Sequence, residues 1–550
     1  MGGGFGGKET QGNAFAALCA LAAWRTGRPT RVMLDRDLDM ALTGKRHPFR
    51  ADFRVGFDLD GRLLGLTATL VSDGGWALDL SESINDRALF HMDNAYYVPA
   101  MEVFGRVAKT HVVSHTAFRG FGAPQGMLVI EDVLDRVARA LDLPPELVRE
   151  RNFYRGDGET STTHYGELVE DNRTDRIWSA LKASSDYAAR RAAVDAWNAR
   201  SPMVKRGLAI TPVKFGVSFT ATFLNQAGAL VLVYRDGSVQ VNHGGTEMGQ
   251  GLYTKIQGVA MRELGVPASR VRMMKTQTDK VPNTSATAAS SGADLNGAAV
   301  RAACVTLRER LVAVAAEMLS CEAAEVTYGA GRFTGRDAAV VTWEEACERA
   351  YVTQVPLSAA GFYKTPNIGY DRKAGRGRPF HYYAFGAAVT EVELDGYSGM
   401  KRILRTDIVH DVGDSLNPGI DRGQVEGAYV QGVGWLTGEE LKWDAKGRLL
   451  THSASTYQIP SVSDAPMDFR VTLLPDAAQK SVVHGSKAVG EPPFMLALSA
   501  REALRDAVAA FGARGGVVTL PSPATHEALF HAVRARLDRG VATELRDAAE

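Results

Sequence analysis

Four short segments in which glycine returns every one to three residues constrain this chain more than any other feature: residues 2–7, 120–122, 244–251 and 485–490. Glycine has no Cβ and tolerates positive φ, so such segments let backbone amides come up against a ligand or another stretch of backbone. One loop of this kind carries little information. Four of them, far apart in the chain, point to a bound group wrapped by backbone from several segments.

Strands and helices alternate between these loops. Asn13–Thr26 is rich in Ala and Leu and stops at Gly27-Arg28-Pro29, which predicts a helix, and Arg31–Asp35 predicts a short buried strand. Residues 51–73 carry a hairpin pattern turning at Asp60-Gly61, and residues 228–245 a second turning at Asp236-Gly237. A third hairpin is predicted over 387–413, with imperfect alternation through Val389, Val392 and Leu394 that leaves its burial open. Helices are predicted over 126–142, from apolar residues spaced by three or four, and over 293–318 and 495–512, with a polar helical tail after 525. At 550 residues the chain has room for two or more domains of roughly 100–200 residues. Aliphatic strands vanish between 155 and 205, where Gly, Asp, Thr and Arg cluster, so the expected domains are 1–160 and 170–550.

Lys+Arg and Asp+Glu both number 63, so no net field draws the chain to nucleic acid or a membrane surface. The four cysteines (Cys19, Cys304, Cys321, Cys347) form no Cys-x-x-Cys and no zinc spacing; they are expected to be free, mostly buried thiols in a reducing compartment. They cannot ligate an iron–sulfur cluster, which needs about four positioned thiolates. Without an apolar run of ~18–20 residues or a signal-like start, the expected location is cytoplasmic. Met1 runs directly into a glycine loop with no strand before it, which reads as a start inside a domain.

The loops carry side chains suited to chemistry. Gly2-Gly-Gly-Phe-Gly-Gly-Lys-Glu9 imitates a phosphate loop, but Glu9 stands where Ser or Thr would hold Mg²⁺, and a carboxylate there would repel a triphosphate. Arg119 lies between Phe118 and Phe121 in a glycine turn, an arrangement suited to an anion or a flat ring and equally to a surface turn. In His243-Gly-Gly-Thr-Glu-Met-Gly-Gln250-Gly251, Gln250 offers an amide beside exposed backbone, unless this is only a hairpin exit. In Gly485-Ser-Lys-Ala-Val-Gly490-Glu491-Pro492-Pro493, the proline biases Glu491 toward extended backbone and fixes a carboxylate at a crowded point; a solvated turn glutamate is the plain alternative.

Taken together, in this order, these segments strongly resemble the molybdopterin-binding subunit of xanthine dehydrogenases, within the molybdenum hydroxylases. Leu34-Asp-Arg, Gly44-Lys-Arg-His-Pro-Phe, Arg87-Ala-Leu-Phe-His-Met-Asp and Asn283-Thr-Ser-Ala-Thr-Ala-Ala-Ser290 extend the resemblance over nearly the whole chain. It implies an α+β fold of two molybdopterin-binding domains with mixed sheets and flanking helices, the cofactor at their interface. Residues 1–160 would be the C-terminal part of the first domain, lacking its N-terminal portion, and 170–550 the second with a helical tail. The implied cofactor is molybdenum–molybdopterin with a sulfido ligand, the metal held by the pterin's dithiolene.

By the same resemblance Phe5, Arg119 and Ala289 lie around the molybdenum, and Gly249, Gln250, Ser290 and Gln424 contact the pterin or its phosphate. Glu491 is implied as the base that takes the proton of a molybdenum-bound hydroxyl as its oxygen attacks a purine carbon. Glu9 and Arg87 are implied to bind the purine's polar edges, Arg87 also stabilising developing charge, with Thr220 adding a hydroxyl. Phe121 and Phe219 stack on the ring, and Leu80 and Leu224 line the approach. Aldehyde oxidases typically lack the Glu/Arg pair, so the implied substrates are hypoxanthine and xanthine. Electrons must leave for iron–sulfur clusters and FAD on a partner chain, implying a hetero-oligomer. A catalytically silent fragment and an aldehyde or heteroaromatic hydroxylase of the same family remain the alternatives.

Overall fold

The computed structural model describes residues 2–156, 158–512 and 515–547. After the first glycine loop come α1 (Gly12–Thr26), the hairpin β1 (Phe49–Phe57) and β2 (Leu63–Gly75), α2 (Ser81–Phe90), β3 (Ala100–Lys109) and α3 (Ala123–Ala140). Pro124 sits in the first turn of α3, where its missing N–H costs nothing, and Met127, Ile130, Val133, Leu134 and Val137 make its buried stripe.

Helices Thr174–Ser184 and Tyr187–Arg200 lead into β4 (Val204–Val217), β5 (Gln226–Val233) and β6 (Val239–His243). Then follow α4 (Leu252–Leu264), β7 (Val271–Met273), α5 (Gly292–Met318), β8 (Ser358–Lys364), β9 (Tyr382–Asp395) and β10 (Lys401–His410). The chain ends through α6 (Pro418–Thr437), β11 (Asp468–Leu473), α7 (Leu498–Ala509) and α8 (His526–Asp547).

All three larger sheets are mixed. In the sheet β1-β2-β3 the outer pairings are antiparallel and parallel; β8-β5-β6-β7 and β11-β10-β9-β4 likewise combine both senses. The last of these is the central layer. Even-numbered β9 residues Ala384, Ala388, Val392 and Leu394 join a core with α6 and α7, while odd-numbered Tyr383, Phe385, Ala387 and Val389 join one with α2, α3 and β2. A strand buried on both faces has no need of polar alternation, which explains the imperfect pattern of the third hairpin. The sheet β8-β5-β6-β7 packs on α4 and α5 in a third core.

Two expectations fail. Arg31–Asp35 forms no strand: it is coil, with Val32 and Met33 42% and 79% exposed. A strand is held by ladder bonds to a neighbour, and no described strand pairs with this segment. The adjoining α1 likewise buries no residue. Of the cysteines, only Cys304 and Cys347 are buried; Cys19 and Cys321 are half-exposed, and all four are free. Among the described residues no helix is long and apolar enough to cross a membrane.

Candidate active site

The four glycine segments converge on one cavity of about 240 Å³, lined from residues 4–9, 117–121, 248–252, 287–293, Gln424 and 487–491. The first loop is pressed on the second: Arg119 N donates to Phe5 O at 2.7 Å, and a Cβ on Gly6 would overlap the Ala117 carbonyl. Lys8 turns away and donates to the carbonyls of Gly2 and Gly3, so it offers no charge to the cavity. Phe121 holds a positive φ of 51° just before α3, and Ala289 and Ser290 are a consecutive left-handed pair at 54° and 59°. Non-glycine residues in that region cost about 1–3 kcal/mol each and persist where surrounding contacts over-determine them.

Glu491 is the point at which these loops meet. Its Oε1 accepts from Gly120 N at 3.0 Å, its Oε2 accepts from Ser290 Oγ at 3.0 Å, and its own N–H donates to Ser290 Oγ at 2.7 Å. Its backbone is helical, φ −98° and ψ −42°, not extended as the following proline led us to expect. The bonds just named and the turn closed by Phe494 N to Glu491 O at 3.0 Å outweigh the proline's local bias.

Arg119 spans the cavity wall. Its Nε donates to Gly490 O at 2.5 Å, Nη1 to Gln431 Oε1 at 3.2 Å and Nη2 to Gln424 Oε1 at 3.1 Å. Burial lowers its pKa to about 10, against the opposing attraction of Glu491. It is thus a brace between loops and α6, with the Phe5 ring 6.0 Å from its guanidinium carbon. Gln250 folds back on its own loop, accepting from Met248 N at 2.6 Å and donating to Thr246 O at 2.9 Å. Glu9 faces the cavity with Oε2 buried and unpartnered; burial, then the charges of Glu491 and Asp79, raise its pKa.

The structure therefore gathers Phe5, Glu9, Arg119, Phe121, Gly249, Gln250, Ala289, Ser290, Gln424 and Glu491 around one cavity. It leaves five other candidates outside that lining. Arg87, 2% exposed on α2, donates to Gly216 O at 3.0 Å and to Ser218 O, between the rings of Phe215 and Phe380. Burial lowers its pKa while Glu491 works to raise it, so the two are electrostatic neighbours. Leu80 precedes α2, and Phe219, Thr220 and Leu224 are half-buried in the segment leaving β4, next to the carbonyls Arg87 grips.

Sequence reasoning missed three contributors. Gln431 lies two helical turns after Gln424 on the same face of α6, a spacing that could have revealed it. Arg46, noted in the Gly44-Lys-Arg-His-Pro-Phe motif but given no role, donates to Arg119 O at 2.7 Å from a cage of Phe118, Trp435 and Phe494. Lys487 joins the cavity wall while paired with Asp411 at 2.6 Å. Among the described residues no group of three His, Cys, Asp or Glu side chains is placed to hold a metal ion, and the lining fits a metal carried on ligands of its own. Side-chain amides, glycine backbone and the open Glu9 Oε2 suit a polar group of that kind.

Comparison with known proteins agrees with this geometry. Two models described as molybdopterin cofactor-binding domain match residues 1–153 and 180–466. The xanthine dehydrogenase/oxidase of Mus musculus is 49% identical over 97% of this chain, and that of Gallus gallus 45% identical over 97%. The chain spans only 39% and 38% of those proteins. Quinoline 2-oxidoreductase from Pseudomonas putida superposes with a TM-score of 0.85 at 26% identity, over 97% of this chain and 68% of that one. An aldehyde oxidoreductase from Desulfovibrio desulfuricans shares the fold at TM-score 0.81 and 24% identity, over 96% of this chain and 53% of its own. With four distant loops closed around one carboxylate-bearing cavity, and with both domain models matched in order, the chain belongs to the molybdopterin cofactor-binding domain family.

Proposed function

We propose that this chain is the substrate-oxidising part of a molybdenum hydroxylase that converts hypoxanthine and xanthine to urate. The observation that carries the reading is the placement of Glu491: a carboxylate fixed through both oxygens at the cavity wall, its charge acting on Glu9, Arg87 and Arg119. When bound, the molybdenum of molybdopterin supplies the two-electron oxidation and the activated oxygen nucleophile. Gly249, Gln250, Ser290 and Gln424 would hold the pterin, with Phe5, Arg119 and Ala289 beside the metal.

Glu491 acts as general base, accepting a proton on whichever oxygen faces the nucleophile, since each oxygen accepts only one bond and keeps a free lone pair. Glu9 meets the purine edge through its unpartnered Oε2, and burial with the nearby charges of Glu491 and Asp79 shifts its pKa upward. Phe121 closes on the ring face. Arg87, both Nη groups engaged, favours developing negative charge through its field. Phe219, Thr220, Leu80 and Leu224 shape the path that the substrate takes. Iron–sulfur clusters and flavin on a partner chain, in a hetero-oligomer, would accept the electrons. The kinship with xanthine dehydrogenases and the Glu9 carboxylate favour an oxopurine over an aldehyde.

Glu491→Gln tests the base. Urate formation by the molybdenum-loaded enzyme should fall about 10²–10⁴-fold at unchanged molybdenum content. A variant that oxidises xanthine at the wild-type rate would remove Glu491 from the chemistry.

A further inference from the structure

We propose that Ser290 is the positioning residue for Glu491, a role beyond contact with a cofactor. This inference rests on the reading of Glu491 as base. One hydroxyl performs both halves of a staple: Ser290 Oγ accepts the backbone N–H of Glu491 at 2.7 Å and donates to the Oε2 of the same residue at 3.0 Å. The oxygen's two lone pairs and single proton allow both at once. The result ties the carboxylate to its own main chain and removes the side-chain rotations that would swing it across the cavity. Gly120 N holds the other oxygen, so the carboxylate plane is set from two sides.

Two further observations show that the loops are shaped around this contact. Ser290 holds φ +59° directly after Ala289 at +54°, a consecutive left-handed pair uncommon for residues with a Cβ. Across from it stands Gly490, where an added Cβ would lie 2.9 Å from Ser290 Oγ and 3.3 Å from its Cβ. Any larger residue at 490 would push the hydroxyl off Glu491. Backbone strain on one side and a missing side chain on the other therefore serve the same bond. Partial burial at the cavity wall adds to it, because a hydrogen bond to a carboxylate is stronger where water is scarce.

A base must meet its proton within a few tenths of an ångström, and misplacement of about 1 Å costs on the order of 10²-fold in rate. Ser290→Ala and Ser290→Gly both delete the hydroxyl, but they act oppositely on the backbone. Glycine is at ease at φ +59°, so Ser290→Gly should melt no lower than wild type, whereas Ser290→Ala keeps the strain. In the complete molybdenum-loaded enzyme with its redox partner, both are expected to lose ~10–100-fold in kcat for xanthine per bound molybdenum, with KM within about twofold. Ser290→Thr, which restores a hydroxyl, should recover part of the loss. The proposal is overturned if both deletions keep kcat. It is equally overturned if kcat falls only in step with molybdenum content, or only in the variant whose melting point drops. Glu491→Gln separates the two levels: an active Glu491→Gln sinks the base reading itself, while an inactive one beside a fully active Ser290→Gly sinks this inference alone.

Discussion

Glu167 is 5% exposed, and its Oε2 has no hydrogen-bond partner. Burial pushes its pKa up to about 8, with Tyr383, Lys214 and Arg378 offsetting only part of the penalty; the Arg378 Nε stands 3.8 Å off. The sign of the consequence follows from linkage. Between the ordinary value of 4.5 and about 8 the folded protein holds a proton that the unfolded chain has lost. Stability therefore declines as pH rises through that window and the penalty is complete above it. Glu167→Gln removes the penalty while keeping the shape. It should melt a few degrees above wild type at pH 8.5, with the gap closing by pH 4.5; a gap independent of pH would show that Glu167 is already ionised throughout. At this scale the sequence singled out Glu491, because glycine and two prolines flank it, and the structure places that carboxylate on the cavity wall. Nothing local disclosed that Ser290, 201 residues earlier, holds it, since that bond depends on tertiary closure.

At the scale of elements, two helices cross their sheets at backbone contact. A Cβ on Gly361 of β8 would overlap the Ala299 carbonyl of α5, and one on Gly207 of β4 would overlap the Ala503 carbonyl of α7. Gly361→Ala should cost about 1–3 kcal/mol, the usual cost of overpacking a close-packed contact. Gly427, exposed in the middle of α6 with nothing near its missing Cβ, is the control: Gly427→Ala should gain up to about 1 kcal/mol. Urea unfolding of the pair reads both, and equal shifts would deny the crossing its role. Helices and hairpins of this size were legible because periodicity and Asp-Gly turns are local signals, as at Asp236-Gly237 between β5 and β6. Arg31–Asp35 misled because an apolar run states only that a surface seeks cover, and the pairing edge that makes a strand lies elsewhere.

At the scale of the molecule, the stretches matched by the two domain models, residues 1–153 and 180–466, share a core, and a buried ion network ties the first of them to α7, which follows the second. Leu208, Ile210, Phe385 and Val389 pack with Leu66, Ile130 and Val133, so neither stretch completes its interior alone. Beside them Arg505 of α7 meets Asp135 at 3.1 Å, Asp132, and Glu502 at 3.4 Å, while Arg149 joins Glu131 at 2.7 Å and Glu502 at 3.8 Å. Asp132–Arg136 and Asp135–Arg139 pair one turn apart along α3, a spacing visible in the sequence; that a guanidinium 370 residues away enters the same cluster has no local signature. Burial works against ionisation of Asp135, yet Arg505 and then Arg139 hold its pKa down at about 2. Its contribution to stability is therefore present above the unfolded value near 3.8 and lost as pH falls through about 2. Arg505→Met leaves Asp132, Asp135 and Glu502 facing one another without that cation, which should cost about 3–5 kcal/mol at neutral pH. The cost should shrink below pH 4, as the stranded carboxylates take up protons. Because the core joins the two stretches and the network joins the first of them to α7, unfolding in urea should remain a single transition that moves to lower denaturant. A loss under about 1 kcal/mol would mean that the ions are bystanders, and separate transitions would mean that the shared core does not couple the two stretches.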